Sequence, residues 1–457
     1  MDKQFFADKN VLVMGLGRFG GGVDVARFAA GVSAKVVITD LATEQQLSEP
    51  IEKLEEFPDI EYHLGSHDPA DFKQADIIVV NPAVPPHNEF LKLAQEHNKF
   101  ITSQINIFFE LCPATIIGIT GANGKSTTTA LTAHLLRGTR DENVWLSGNI
   151  GNEPLLTIAD QIRPDDLVVL ELSSFQIEQL AQIPKGPHIA LLTNLTPNHL
   201  DRYGTFADYC DAKENVFKFQ KLDRNSPAVS IFNAEDKIAA EWFEKYKRDT
   251  GRICIKFSAD DVSEEIRDSF PLPGRANLSN LAAALCLARH FGAEDDRIIK
   301  VLPTFKPLPH RLEFVAEING VKWYNDSKAT TPQSAITAIE AFDQPIIIIA
   351  GGYDKNIPFD EFSQKIVKKT KAAILLGQTA KKIAKEIKEH KSIRAQEHKV
   401  AQVEITDSLA EAVNSARQLA ESGDVVLLSP ACASYDMFDN FEQRGEEFCR
   451  LVRENSG

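Results

Sequence analysis

Three short apolar runs, each followed at once by a glycine-rich loop, constrain the fold of this 457-residue chain most strongly. They are Val11–Met14, Thr115–Thr120 and Ile346–Ala350. Each run is too short for a helix and does not alternate with polar residues, which is typical of a parallel strand buried on both faces. A domain holds ~100–200 residues, so three such starts along this length predict three α/β domains, each with a mainly parallel sheet.

Two stretches mark the expected boundaries between these domains. One lies near residue 103, ahead of Cys112 and Pro113. The other is the proline-rich segment 302–310, where prolines discourage a regular helix and suit a linker. We therefore predict domains at residues 1–103, 104–308 and 309–457.

Composition disfavours several classes of protein. The formal net charge of -15 argues against a general nucleic-acid or membrane-surface binder. No stretch approaches the ~20 apolar residues that span a bilayer, and the N-terminus lacks the apolar core of a secretory signal. The six cysteines form no CxxC pair, which indicates reduced thiols and neither a disulfide framework nor a zinc site. Together these features predict a cytoplasmic protein.

The first glycine loop reads Gly15-x-Gly17-x-x-Gly20, and Asp40 ends the next apolar run twenty residues after Gly20. This matches the fingerprint of a dinucleotide site, in which glycines let the backbone approach a pyrophosphate at a helix N-terminus. By itself the motif has three interpretations. It is typical of an NAD-linked dehydrogenase, of a tight turn that binds nothing, or of a loop for another nucleotide diphosphate such as a UDP-sugar.

The second loop, from Gly118 to Thr127, is the strongest local signal. Its glycines allow backbone N–H groups to face phosphate oxygens. Lys125 supplies a positive charge toward the β- and γ-phosphates, and Ser126 offers a hydroxyl to Mg²⁺. Five residues separate Gly118 from Gly124, where the general P-loop pattern has four. The chain is therefore expected to bind a nucleotide triphosphate through a variant P-loop.

Three residues that can carry chemistry follow this loop. Glu171 ends an apolar run, where a P-loop protein holds its second Mg²⁺ ligand, although a strand-end carboxylate can also face water. His199 follows another apolar run and so lies on a loop at the sheet edge where ligands bind. Lys213 lies in a helical segment, where a lysine by itself is read as solvated.

The sequence GITGANGKST resembles the ATP loop of the Mur ligases and folylpolyglutamate synthases, which share the longer spacing. The resemblance to the Mur ligases continues along the chain in order. It implies an ATP-dependent amide ligase with a Rossmann-like N-terminal domain, a P-loop ATPase-like central domain and a Rossmann-like C-terminal domain. The catalytic residues it implies are Lys125, Glu171, His199 and Lys213. It also implies two Mg²⁺ sites, with ligands Ser126, Glu171, His199 and Lys213, the lysine being carbamylated by CO₂.

The same resemblance assigns further residues by their matching motifs. Those implied in ATP binding are Gly121, Asn123, Gly124, Lys125, Ser126, Thr127, Asn280, Arg311 and Asp326. Those implied in binding a UDP-sugar are Gly15, Gly17, Arg18, Asp40, Asn81, Asn149, Ser173 and Gln176. Leu41 departs from the family, because a polar residue often helps to hold uracil there, and Asn81 replaces a frequent serine. These departures concern the contacts to uracil and not the reaction.

The segment Asp326-Ser-Lys-Ala-Thr330 differs among Mur ligases according to substrate. Its DSKAT form is that of the members that add D-glutamate, so the resemblance implies D-glutamate and UDP-N-acetylmuramoyl-L-alanine as substrates. The two carboxylates of D-glutamate call for cations and oriented donors. The residues implied in binding it are Lys328, Thr330, Lys355, Ser434, Tyr435 and Phe441. We expect a monomer with no nucleic-acid partner and no membrane insertion.

Three rival interpretations stay open at this point. A folylpolyglutamate synthase would share the phosphate loop, but DSKAT and the GxGxxG motif disfavour it. An NAD-linked oxidoreductase would have no need of that loop together with Glu171 and His199. A non-catalytic nucleotide-binding regulator is disfavoured because Lys213 and Lys328 are present as well.

Overall fold

The computed structural model describes residues 2–18, 20–32, 34–150, 154–393 and 402–454, and within them the chain forms three sheets flanked by helices. Two sheets are wholly parallel and the third is mixed, so the predicted three-domain α/β class is confirmed. No helix in the described ranges combines the length and the hydropathy needed to cross a membrane.

The N-terminal domain has a five-stranded parallel sheet. Its strands are β1 (Asn10–Met14), β2 (Lys35–Asp40), β3 (Glu61–Leu64), β4 (Ile77–Val80) and β5 (Phe100–Thr102). Its helices are α1 (Gly21–Gly31), α2 (Ser48–Glu52), α3 (Pro69–Gln74) and α4 (Glu89–Glu96), and α5 (Gln104–Leu111) follows. In the order β3-β2-β1-β4-β5, successive strands are added on one side of β1 and then on the other, so a topological switch point lies between β1 and β4. Such a switch point opens a crevice at the carboxyl end of the strand, where the first glycine loop lies.

The central domain has a six-stranded parallel sheet. Its strands are β6 (Thr115–Thr120), β7 (Val144–Gly148), β8 (Leu167–Glu171), β9 (Ile189–Leu192), β10 (Ala228–Asn233) and β11 (Arg252–Phe257). Its helices are α6 (Lys125–Thr139), α7 (Ser174–Leu180), α8 (Leu200–Tyr203), α9 (Phe206–Lys218), α10 (Lys237–Tyr246), α11 (Glu264–Asp268), α12 (Arg275–His290) and α13 (Asp295–Val301). In the order β11-β10-β9-β6-β8-β7, the phosphate-loop strand β6 lies between β9 and β8. The loops after these three strands therefore meet at one edge.

The C-terminal domain has a six-stranded mixed sheet. Its strands are β12 (Glu313–Ile318), β13 (Val321–Asn325), β14 (Ile346–Ala350), β15 (Thr370–Leu375), β16 (Gln402–Ile405) and β17 (Val425–Leu428). Its helices are α14 (Pro332–Glu340), α15 (Asp360–Lys369), α16 (Ala380–Ile393), α17 (Leu409–Leu419) and α18 (Phe441–Glu454). The order is β12-β13-β17-β14-β15-β16, and among these described strands β12 and β13 are antiparallel while the other neighbours are parallel. The carboxyl ends of β13, β17 and β14 are therefore neighbours.

Contacts group the chain into two compact units, residues 1–268 with 279–302, and residues 269–278 with 303–457. The N-terminal and central sheets share the first unit, and the C-terminal sheet lies in the second. In the second unit, a side chain on Gly274 would collide with Ala341, so the segment 269–278 packs closely there. The domain boundaries at 103/104 and 308/309 stay predictions.

Candidate active site

The phosphate loop joins β6 to α6. Gly124 caps the N-terminus of α6 with a φ of 79°, in the left-handed region that favours glycine. A Cβ at Gly124 would collide with the side chain of Asn280 on α12. Asn280 Oδ1 also accepts a hydrogen bond of 3.3 Å from Thr128 Oγ1 in α6. The structure therefore brings Asn280, which the sequence predicts to contact ATP, directly against the phosphate loop.

The loop after β9 holds the phosphate loop in shape. The backbone N–H of Ala122 donates to Asn194 O at 2.8 Å, and that of Asn123 donates to Asn194 Oδ1 at 2.9 Å. Thr193 Oγ1 donates to Asn123 O at 2.6 Å. Lys125 Nζ donates to Ala122 O at 3.0 Å, so the lysine side chain folds back onto the phosphate loop. These contacts leave the helix N-terminus of α6 directed toward the position of a bound phosphate.

Glu171 is a buried carboxylate at the end of β8, 2% exposed. Its Oε1 accepts a 3.0 Å hydrogen bond from Asn149 Nδ2, and the Asn149 N–H donates to Glu171 O at 2.9 Å. Its Oε2 has no hydrogen-bond partner within the described parts of the chain. A buried carboxylate oxygen without a donor is costly, which indicates a position for a cation or a bound donor.

Lys213 on α9 is 1% exposed, although the sequence alone reads it as a solvated lysine. Its Nζ donates to Thr120 Oγ1 at 3.1 Å and lies 5.1 Å from the centre of the Tyr209 ring. Burial lowers the pKa of Lys213 well below its ordinary value, Lys125 lowers it further, and Glu171 opposes the shift. A neutral amine beside the phosphate loop is the form that can react with CO₂.

His199 lies at the rim, at the start of α8, in a left-handed conformation with a φ of 52°. The residue is exposed, but its ring packs on Phe175 with 4.9 Å between centroids. Partial burial of the ring lowers the pKa of His199, Asp201 opposes that shift, and Lys213 and Lys125 add to it. The neutral imidazole is the form that binds a metal.

The donor set suits Mg²⁺ held partly by phosphate. Within the described ranges, no group of three or more His, Cys, Asp or Glu side chains could enclose a metal ion. Mg²⁺ usually keeps several waters and binds through one or two carboxylates together with substrate phosphates. The buried Glu171 oxygen and the Ser126 hydroxyl on the first turn of α6 fit that pattern.

The first glycine loop is tied to its own sheet. The Gly17 N–H donates to Asp40 Oδ2 at 3.1 Å, and Asn81 Nδ2 donates to Gly15 O at 3.2 Å. Asp40 and Asn81 therefore shape the loop that the sequence predicts to bind a UDP-sugar. Arg18 is exposed beside it.

Ser173 and Gln176 form a capping box at the start of α7. The Gln176 N–H donates to Ser173 Oγ at 3.2 Å, and the Ser173 N–H donates to Gln176 Oε1 at 3.0 Å. Capping satisfies the free N–H groups of the helix, so both side chains have a structural task. Their contact with a UDP-sugar stays a prediction.

In the C-terminal unit, the DSKAT loop follows β13 and meets the loop after β17. Asp326 accepts from Ser429 Oγ at 2.8 Å and from the Leu312 N–H at 3.2 Å. Burial raises the pKa of Asp326 to about 7, while Ser429, Leu312 and Arg311 oppose the shift. Ser327 Oγ donates to Phe441 O at 2.8 Å, which connects the loop to the start of α18.

The residues predicted to bind D-glutamate lie on the loops of this same sheet edge. Lys328 is exposed, with its Nζ 5.2 Å from the centre of the Phe441 ring. Ser434 is buried and Tyr435 is 65% exposed, both after β17. The other two predicted members are Thr330, half-buried in the DSKAT loop, and Lys355, exposed after β14.

Comparison with known proteins places the chain in a family. A model of the MurD-like N-terminal domain of Mur ligases matches residues 9–103, the Mur ligase middle domain matches 119–288, and the glutamate ligase domain of Mur ligases matches 310–432. The UDP-N-acetylmuramoylalanine--D-glutamate ligase of Roseiflexus sp. (strain RS-1) is 38% identical over 98% of this chain and 98% of its own. The chain belongs to the Mur ligase family.

Other relatives agree with this assignment. The enzyme of the same name from Caldanaerobacter subterraneus subsp. tengcongensis is 38% identical over 97% of this chain and 98% of its own. Among solved structures, MurC of Thermotoga maritima has a TM-score of 0.60 at 18% identity, covering 98% of this chain and 99% of its own. MurF of Thermotoga maritima in complex with ADP has a TM-score of 0.57 at 18% identity, covering 99% of this chain and 97% of its own. At such identities the two structures support the fold alone.

The predicted family and the ligase class are thus confirmed, and the dehydrogenase interpretation of the first glycine loop is set aside. The structure adds residues of this Mur ligase that the sequence did not single out. Asn194 and Thr193 hold the phosphate loop, and Thr120 is the partner of Lys213. Asn194 and Thr193 directly follow the apolar run of β9, and that position at a strand end was the signal available for them.

Arg444 is another residue that the sequence analysis did not identify. Its buried guanidinium donates to Ser327 Oγ at 3.0 Å, to Ser327 O at 2.8 Å and to Cys432 O at 3.1 Å. A charged residue in a helix such as α18 is usually solvated, so its pattern gave no sign of this role. Arg444 joins the DSKAT loop to the loop after β17.

Proposed function

We propose that this Mur ligase joins D-glutamate to UDP-N-acetylmuramoyl-L-alanine, with ATP converted to ADP and phosphate. The observation that carries the proposal is the meeting of three groups at the carboxyl edge of the central sheet. They are the phosphate loop after β6, the buried Glu171 carboxylate after β8, and the buried amine of Lys213 beneath them. The DSKAT loop and the whole-chain similarity to D-glutamate ligases support the choice of substrates.

In the first step, the L-alanine carboxylate of the UDP-sugar attacks the γ-phosphorus of ATP, giving an acyl phosphate and ADP. Attack by one anion on another needs charge compensation, and Lys125 supplies part of it beside the phosphates. Ser126, Glu171, His199 and the carbamate of Lys213 would hold Mg²⁺ at two sites. When bound, Mg²⁺ contributes further neutralisation of the phosphoryl charge.

In the second step, the neutral amine of D-glutamate attacks the acyl carbon, a tetrahedral intermediate forms, and phosphate leaves as the amide bond is made. Lys328 and Lys355 would act as point charges toward the two carboxylates of D-glutamate, with Thr330 and Ser434 as hydroxyl donors. Alignment of the reacting groups can contribute on the order of 7–11 kcal/mol. The proposal includes a monomeric protein that acts in the cytoplasm.

Phosphate release tests this proposal. The full chain is incubated with UDP-N-acetylmuramoyl-L-alanine, ATP and Mg²⁺, and D-glutamate, L-glutamate and no amino acid are compared. Release that depends on D-glutamate alone is expected, with the amide product identified by its mass. Release without dependence on an amino acid would contradict the assigned acceptor, and no release in any arm would contradict the substrate pair.

A further inference from the structure

Asp24 is a buried carboxylate on the first turn of α1, the helix that begins after the first glycine loop, and is 5% exposed. Its Oδ2 accepts hydrogen bonds from the N–H groups of Leu155 at 3.0 Å and Leu156 at 2.7 Å. Its Oδ1 accepts from the N–H of Thr157 at 3.0 Å and from Thr157 Oγ1 at 2.9 Å. Gln104 Nε2 completes the set, donating to Oδ2 at 2.6 Å.

These contacts cross from the N-terminal domain to the central domain. Asp24 belongs to the first sheet's helix layer, while residues 155–157 follow β7 of the second sheet. Three successive backbone N–H groups directed at one carboxylate form a local anion site, and hydrogen bonds to an ionised group are roughly twice as strong as neutral ones. The carboxylate therefore fixes this stretch of backbone to α1.

The stretch bound by Asp24 is also tied to the end of β7, beside the central site. Asn149, one residue after β7, donates to Glu171 Oε1 at 3.0 Å. Ser147 Oγ donates to Pro154 O at 2.8 Å, which ties the end of β7 to the residue before Leu155. Asn149 is thus fixed to the Glu171 carboxylate, and residues 154–157 are fixed both to the end of β7 and to the glycine-loop helix.

We propose that Asp24 is a positioning residue that sets how the UDP-sugar reaches the phosphoryl-transfer site. The inference rests on the proposed function. That function requires the diphosphate to lie at the first glycine loop, which the sequence predicts to bind the UDP-sugar, and the L-alanine carboxylate to reach the γ-phosphate at the phosphate loop. One molecule then spans both domains. Because its covalent bonds limit the distance between the two ends, the carboxylate arrives correctly only if α1 and the end of β7 keep their separation.

A graded set of variants tests this role. Asp24→Asn keeps an acceptor for Thr157 but turns an amide N–H toward the N–H groups of Leu155 and Leu156. Asp24→Ala removes every acceptor, and Thr157→Val removes one hydroxyl donor only. Val25→Ala, at a buried apolar position of the same helix, serves as the control for lost stability.

The measurements are the KM values for UDP-N-acetylmuramoyl-L-alanine, ATP and D-glutamate, kcat, and the Kd of UDP alone. A buried donor left unpaired costs enough to change an equilibrium by about tenfold or more. We expect Asp24→Asn to raise the KM for the UDP-sugar by about tenfold, Asp24→Ala by more and Thr157→Val by less. The Kd of UDP and the KM for ATP stay unchanged, because neither UDP nor ATP has to span the N-terminal and central domains.

Two results would overturn the inference. One is wild-type KM values in all three variants. The other is that the Asp24 variants lose UDP affinity, or that all their KM values rise equally, and that Val25→Ala shows the same changes at the same loss of thermal stability. That result would mean general destabilisation. The wild-type assay separates this outcome from failure of the proposed function, because a wild-type chain that makes no D-glutamate adduct contradicts the function itself.

Discussion

Buried charged groups at the phosphate-loop site of the first unit differ from those around the DSKAT loop of the second unit in how fully they are hydrogen-bonded. In the first unit, Lys213 donates to a single hydroxyl, and Glu171 keeps one buried oxygen without a partner among the described residues. In the second unit, Arg444 donates to three acceptors and Asp326 accepts from two donors. Two atoms of the second unit, Arg444 Nη1 and Asp436 Oδ1, are nevertheless buried without a hydrogen-bond partner in the described chain.

This difference indicates two roles for buried charged groups. A buried charge that is mostly satisfied by its own protein holds a framework together. One that is left under-satisfied indicates a place where a ligand completes the environment. The charges of Glu171 and Lys213 thus suit the chemistry of phosphoryl transfer, and those of Arg444 and Asp326 suit the shape of the DSKAT loop.

The largest expected effect is at Lys213. Lys213→Ala removes the amine that would carry the carbamate, so activity is expected to fall by more than the roughly 100-fold cost of losing an outer-shell metal partner. Small carboxylic acids, such as acetate, are expected to restore part of the rate by entering the space beneath Thr120. Steady-state assays with and without acetate measure this.

Lys218→Ala on the same helix is the matched control, because Lys218 forms a partly exposed ion pair with Glu214. It should keep the wild-type rate. A Lys213→Ala protein that also keeps it would contradict the contrast between the two units.

A smaller effect is expected at Arg444. Arg444→Lys keeps the charge but loses the planar fork that reaches Ser327 and Cys432 together. The KM for D-glutamate should rise by roughly tenfold, the factor that corresponds to about 1.4 kcal/mol, with little change in the KM for ATP.

Arg450→Lys on α18 is the control for this variant, because Arg450 is exposed and forms its ion pairs with Glu447 and Glu454 of the same helix. Equal KM values for both variants would show that the Arg444 contacts do not shape the DSKAT loop.

A third effect falls on stability and not on activity, and it is the pH dependence contributed by Asp326. Its folded pKa of about 7 lies above the ordinary value of 3.8, so the folded state holds the proton more tightly. This stabilisation is complete below about pH 4 and is lost as the pH rises through about 7. Asp326→Asn cannot ionise, so its stability relative to wild type should improve by up to about 1.4 kcal/mol per pH unit across that window.

Calorimetric unfolding of both proteins at about pH 5 and about pH 8 measures this difference. A difference that does not change with pH would mean that Asp326 ionises normally in the folded protein.

The sequence predicted the parts of the fold that depend on local pattern. Each buried parallel strand with its glycine loop was visible, because burial on both faces leaves a continuous apolar run. The antiparallel pair β12–β13 was missed. Its turn is Asn319-Gly320, and both residues have positive φ, which is the local signal of a tight hairpin.

Within the site, residues at strand ends were predictable and residues that act across long sequence separations were not. Glu171 and His199 were singled out by their positions and by the family motif, and their roles in metal binding stay predictions. Asp24 was not, because its partners lie 131 to 133 residues away and a helix carboxylate is normally solvated. Lys213 needed the family resemblance, since nothing in its helix sequence indicates complete burial.

The hydrogen bonds from Thr193 and to Asn194 that hold the phosphate loop have a consequence for nucleotide affinity. Immobilising a flexible loop upon binding reduces conformational entropy, and that loss weakens the complex. Here the loop is ordered by contacts formed when the chain folds, so the nucleotide meets a preorganised cradle. Substitution of Asn194 would then weaken nucleotide affinity through entropy, without removing any atom that touches phosphate.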